Sequence, residues 1–196
     1  WYLSKESVIN KIQEKFNENI IIRSSSLEED SWENSQAGLF LSIKDINPNN
    51  KRLLVNSIEK VIKEYKVKGN KPNLNNQVLI QPFIKNSSIS GVAFSKTLEE
   101  GLPYYCISYD DYSKETDSVT SGRTNKIKTY TIQRECNRNI LSPIIKKIIY
   151  SVEEIEKILE YSSLDIEFII DDNDKLFIVQ VRPITSHKSL IESEKF

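Results

Sequence analysis

The sequence predicts an α+β protein built from two lobes. Three observations lead there. Helical stripes and short β-branched runs alternate in no regular order, which argues against a doubly wound sheet. A polar break at Lys68–Asn76, holding Gly69 and Pro72, divides the chain. Neither GxGxxG nor GxxxxGK occurs among only five glycines, so a Rossmann turn and a P-loop are both excluded.

Taken in order, Lys5–Phe16 places Val8, Ile9, Ile12 and Phe16 on one helical stripe, with Ser4 positioned to cap it. Ile20–Ile22 reads as a strand that stops at Arg23, and Phe40–Ile43 as another. After the turn Asn47–Asn50, the residues Leu53, Leu54, Ile58, Val61, Ile62 and Tyr65 mark an amphipathic helix. Val78–Phe83 is interrupted by Pro82, which bars a central ladder and makes the segment an edge or a hinge. Ile89–Ser95, Tyr104–Ser108 and Ile127–Ile132 read as strands, with a Ser/Thr/Asp loop over Asp110–Gly122. Ser142-Pro143 is a helix start, and an isoleucine-rich stripe follows to Leu159.

Composition excludes several classes of function. The 196 residues carry 27 basic and 28 acidic side chains, a net charge of −1, which supplies neither a nucleic-acid footprint nor a polybasic membrane patch. No apolar run is long enough to cross a bilayer and no signal peptide is visible. The two cysteines, Cys106 and Cys136, are widely spaced, which points to a reducing, cytoplasmic setting. One histidine and two scattered cysteines cannot build a common zinc site.

The most informative stretch is Leu164–Thr185, LDIEFIIDDNDKLFIVQVRPIT, two strands around a turn rich in Asp and Asn. With Asp172–Lys175 as the loop, Asp165 falls opposite Arg182 and Glu167 opposite Gln180. Directly opposed residues share a face. One side then carries two carboxylates, an amide and a guanidinium, and Ile166, Phe168, Phe177, Val179 and Val181 cover the other. Such a polar face can hold a hard cation and a phosphate. A solvated hairpin with one Asp–Arg pair worth about 0.2–1 kcal/mol has the same periodicity. A calcium loop over Asp172 and Asp174 lacks the glycine its sharp turn needs. Arg23, at a strand end before Ser24, Ser25 and Ser26, can grip phosphate; pairing with Glu28, Glu29 or Asp30 is an equal alternative.

Three blocks carry a resemblance. IIRSSSLEEDSWENSQAGLFLS is similar to the arginine–serine loop of the nucleotide-binding domain in the phosphoenolpyruvate synthase and pyruvate phosphate dikinase family. VLIQPFI followed by SISGVAFS resembles that family's VxVQxMV…SGVAFT segment, and LDIEFIIDDNDKLFIVQVRPIT its closing DIEW…LQxRPIT. The blocks stand in the family's order between Ile20 and Thr185. The resemblance implies an ATP-grasp-like domain over residues 1–186, truncated at its N-terminus, with lobes joined near 68–83 and a linker or tail over 187–196. It also implies ATP clamped between the lobes together with Mg²⁺.

By motif position the resemblance gives Arg23 to phosphate, and Gly38 to close backbone approach. Gln81 goes to the adenine edge, Ser90 and Gly91 to a second phosphate loop, and Asp165 to the ribose or metal shell. Glu167 and Gln180 become Mg²⁺ ligands, and Arg182 binds the transferring phosphates, with Arg23 and Arg182 as the catalytic pair. The implied activity is phosphotransfer from ATP through a phosphohistidine carrier, on a domain outside this chain, to a small acceptor such as pyruvate, releasing AMP and phosphate. The family's GLGE-type loop is replaced by YDDYSKETDSVTSG, with Gly122 kept, which suggests a divergent branch. A related small-molecule kinase, such as L-glutamine kinase of capsule biosynthesis, and a non-catalytic nucleotide-sensing module stay open as alternatives. His187 echoes the family's phosphorylated histidine but lacks its flanking residues, and is read as linker.

Overall fold

The structure is a computed structural model that describes residues 4–25, 30–31, 34–35, 41–67, 76–112 and 127–184. It divides into two compact units, Trp1–Lys85 and Asn86–Phe196. The boundary falls between Lys85 and Asn86, and the strand ending at Pro82 pairs within the first unit.

The first unit contains α1 (Lys5–Lys15), β1 (Ile20–Ser25), the short pair β2 (Asp30–Ser31) and β3 (Asn34–Ser35), β4 (Ser42–Ile46), α2 (Lys51–Val67) and β5 (Gln77–Pro82). Its main sheet is antiparallel in the order β4-β1-β5. β1 runs past Arg23 to Ser25, alternating inward Ile20, Ile22 and Ser24 with outward Ile21 and Arg23. The inward set meets Ile9 and Ile12 of α1 and Leu54, Ile58 and Val61 of α2. β5 is an edge strand ending in its proline, as a residue without an amide donor requires. Ser4 occupies the α1 N-cap position without a side-chain cap; its carbonyl accepts from Val8 N at 3.0 Å.

The second unit contains β6 (Ser87–Phe94), β7 (Tyr104–Asp110), β8 (Lys128–Gln133), α3 (Pro143–Leu159), β9 (Leu164–Asp171) and β10 (Leu176–Pro183). Every pair in its five-stranded sheet is antiparallel, in the order β10-β9-β6-β7-β8. α3 opens as the sequence predicts, with Ser142 Oγ accepting from Ile145 N and Pro143 in the first turn. Its Ile145, Ile148, Ile149 and Val152 pack on Ile89, Ala93, Tyr105, Ile107, Ile166, Phe168 and Ile170 of the sheet. That buried apolar area is the main stabilising term of the unit.

Ser90 and Gly91 lie in the middle of β6, not in the loop expected for them. A Cβ on Gly91 would stand 2.5 Å from Ser108 O, 2.7 Å from Phe168 Cζ and 2.7 Å from Tyr109 Cβ. The missing side chain therefore makes room for Phe168 against the sheet.

A polar clamp ties α3 to the end of the sheet. Arg134 donates to both carboxylate oxygens of Glu156, at 2.9 and 2.6 Å, and to Ser95 O at 2.8 Å. Its guanidinium lies 4.5 Å from the ring of buried Tyr105, whose hydroxyl donates to Glu153 at 2.9 Å. Burial pushes the Tyr105 hydroxyl from its ordinary value of 10.0 up to about 12.

Two predictions follow from this packing. Gly91→Ala should lower stability by about 1–3 kcal/mol through overpacking, read as a lower urea midpoint at unchanged slope; an unchanged midpoint would contradict the contact. Because folding raises the Tyr105 pKa, its contribution is complete below pH 10 and lost as pH climbs through about 12. Thermal melts should therefore fall over that window, and Tyr105→Phe should make the fall shallower.

Candidate functional site

The β9–β10 hairpin is closed by its own acidic turn. Asp171 Oδ1 accepts from Asn173 N at 2.9 Å and Lys175 N at 2.8 Å, and Asp174 takes a left-handed φ of 60°. This closure sets Leu176 opposite Ile170 and Ile178 opposite Phe168. The register then shifts between Ile178 and Gln180, leaving Val179 as an extra residue. Beyond the bulge Gln180 faces Glu167, Val181 faces Ile166 and Arg182 faces Asp165.

The polar set is therefore paired as the sequence predicts, whereas the apolar set is corrected. Leu176, Ile178 and Val181 pack against the core beneath α3. Phe177, expected there, pairs with Ile169 on the opposite face, and Val179 is the bulged residue. The physical cause is the five-residue closure from Asp171 to Lys175, one residue longer than a simple four-residue loop.

On the face opposite α3, two rows cross the sheet. One runs Gln180, Glu167, Val92, Ser108, Thr129; the next runs Arg182, Asp165, Phe94, Cys106, Thr131. Arg182 Nη2 lies 3.0 Å from Asp165 Oδ2 and 3.3 Å from Glu167 Oε1. The three side chains are only 13%, 19% and 20% exposed, so the charges interact at reduced dielectric. Arg182 Nε is buried and donates to no acceptor among the described residues.

Among the described residues no group of three His, Cys, Asp or Glu side chains could hold a metal. The donor set of Glu167 with Gln180 directly opposite still fits Mg²⁺, an ion that commonly takes one or two protein oxygens and completes its shell with water and phosphate. A protein-only cage is not what that chemistry requires.

Some participants on this face carried no motif. Asp110 pairs with Ser90 and is 2% exposed, its Oδ1 accepting from Tyr112 N at 2.8 Å. A cleft of about 330 Å³ is lined by Phe94, Cys106 and Ser108 of the face and by Thr97–Glu100 of the following loop. Burial raises the Cys106 thiol pKa. The alternation of YYCISYD, which puts Cys106, Ser108 and Asp110 on one side, is the signal that could have found them.

In the first unit Arg23 pairs with Leu79 and Ile21 with Gln81, so Arg23 and Gln81 share the sheet face away from that unit's core. Gly38, Gly122 and His187 lie outside the described residues.

Residues 106–195 match the family model described as pyruvate phosphate dikinase, AMP/ATP-binding domain. The match includes Asp165, Glu167, Gln180 and Arg182; Arg23, Gly38, Gln81, Ser90 and Gly91 precede it. No curated protein matches the chain. Among the described residues no helix is long and apolar enough to cross a membrane.

The charge arrangement makes a stability prediction. Arg182→Met should cost about 3 kcal/mol or more by taking the guanidinium away from two partly buried carboxylates. Adding Asp165→Asn and Glu167→Gln should restore most of that loss in urea unfolding. A triple variant no more stable than the single one would refute the assignment.

Proposed function

We propose that the chain is the ATP-binding part of a phosphoenolpyruvate-synthase-like phosphotransferase. The observation that carries this reading is the Arg182 guanidinium held through Nη2 by Asp165 and Glu167 within the segment that matches an AMP/ATP-binding domain. A guanidinium recognises phosphate oxygens with charge-assisted hydrogen bonds, and a fixed, partly buried one does so with little reorganisation.

In this reading Arg182 binds the phosphates being transferred, and Glu167 with Gln180 holds Mg²⁺. The bound ion neutralises developing charge on the phosphate oxygens. Asp165 keeps the arginine in place. For Arg23 and Gln81 the resemblance alone carries the assignment, an arginine on phosphate and an amide at the adenine edge. Gly38 is proposed for close backbone approach on the same ground. At Ser90 and Gly91 the strand geometry favours sheet packing over a phosphate loop.

A pyrophosphoryl group then passes from ATP to a histidine on a carrier domain outside this chain, leaving AMP; phosphate is released, and the remaining phosphoryl group goes to a small acceptor such as pyruvate. One observation favours a related kinase with another acceptor, such as L-glutamine kinase. β7 ends in buried Asp110, followed by Asp111-Tyr112, where the family places its glycine loop. A side chain at that strand end changes what the loop can approach.

Calorimetric titration of ATP with Mg²⁺ tests the reading. Arg182→Ala should weaken binding about tenfold or more, since a charged hydrogen bond contributes roughly 1.5–3 kcal/mol. Glu167→Gln should weaken it only when Mg²⁺ is present. Undiminished affinity in Arg182→Ala would sink the proposal. Binding indifferent to Mg²⁺ would instead favour a nucleotide-sensing module. Release of AMP in the presence of pyruvate or of glutamine then separates the two acceptors.

A further inference from the structure

The contact that makes Arg182 ready for phosphate also obstructs the metal. Its Nη2 lies against Oε1 of Glu167, the carboxylate read above as a cation ligand. A guanidinium and a divalent cation cannot both occupy the same side of one carboxylate, because their charges repel strongly at this partial burial. The second carboxylate is engaged as well, since the same Nη2 lies 3.0 Å from Asp165 Oδ2. Without a ligand, the two acidic groups already have a counter-charge.

We infer that Arg182 is a built-in competitor of the divalent cation at Glu167, so that the site rejects free metal and accepts it only together with nucleotide phosphate. Asp165 is the positioning residue in this exchange. When Arg182 leaves Glu167 for a phosphate oxygen, the Asp165 contact, the shorter of the two, retains the guanidinium at the strand. Phosphate gives Arg182 a new partner and gives the metal further oxygens, so each ligand favours the other. By linkage the coupling is reciprocal. The register supports the exchange, because Gln180 stands directly opposite Glu167 and can supply an uncharged oxygen ligand to the metal.

This inference rests on Glu167 and Gln180 being the cation ligands of an ATP site. The test is Mn²⁺ binding followed by electron paramagnetic resonance, with the metal alone and with ATP. The unaltered protein should bind Mn²⁺ alone weakly, and Arg182→Gln should bind it about tenfold more tightly. The gain should vanish in the Glu167→Gln background, because the contested oxygen is then gone. No gain in Arg182→Gln overturns the inference; so does a gain that persists without the Glu167 carboxylate, which would report only a change in net charge.

A measurement on the unaltered protein guards against a variant that fails to fold. The Arg182 Nε–H, buried and without an acceptor among the described residues, should give a slowly exchanging nitrogen resonance. Mg²⁺ alone should leave it in place, and Mg²⁺ with ATP should move it. Movement with Mg²⁺ alone overturns the competition. If the Arg182→Gln gain appears but ATP–Mn²⁺ does not bind, the competition stands and the nucleotide reading falls.

Discussion

One extra residue in the last strand decides what the second unit can do. Had the pairing of Leu176 with Ile170 continued without the shift at Val179, Arg182 would face Leu164 and Gln180 would face Ile166. Both partners point under α3, into the apolar core. Burying a guanidinium there without a carboxylate costs several kcal/mol. The bulge moves both polar side chains to the other face, where Asp165 and Glu167 meet them. The same displacement keeps Leu176 and Ile178 on the core side near the turn. Core packing at one end of the hairpin and polar pairing at the other are compatible only through the irregularity between them.

Arg134, just after β8, and Arg182, on β10, are both partly buried and solve their charge in different ways. Arg134 is held by three acceptors: two carboxylate oxygens of Glu156 and the carbonyl of Ser95 take its donors, and Tyr105 lies under its plane. It fastens α3 to the sheet and has no reason to move. Arg182 divides a single Nη2 between two carboxylates while its Nε goes without an acceptor among the described residues. A guanidinium with donor capacity left over is suited to an exchangeable partner, and its placement opposite the helix-covered side keeps that exchange apart from the packing.

Much of this was legible from period-two alternation. The pairing of Asp165 with Arg182 and of Glu167 with Gln180 is reached from a four-residue loop, and it holds because the bulge at Val179 offsets a turn one residue longer. The start of α3 follows from Ser142-Pro143, and the edge position of β5 from Pro82. The bulge was not legible, because no Gly, Pro or Asn marks Val179; it arises from two preferences that compete only in the folded sheet. The phosphate-loop expectation for Gly91 comes from the resemblance alone; in β6 its missing Cβ leaves room for Ser108 O, Tyr109 Cβ and the ring of Phe168, a residue far along the chain. Ser4 shows the limit of local rules, holding the N-cap position without its side-chain bond. The buried Asp110 gave no signal beyond alternation, since its environment is set by neighbouring strands.

The strand order has a consequence for biosynthesis. β6 is the central strand, yet its partner β9 emerges from the ribosome long after it; the bond from Leu164 N to Ser95 Oγ spans 69 positions. Until then one edge of β6 is an unpaired ladder beside residues destined for the interior. Such non-local pairing is intrinsically slow to form. A nascent chain released before β9 would present a sticky β-edge, and chaperone dependence during translation should be concentrated in that interval.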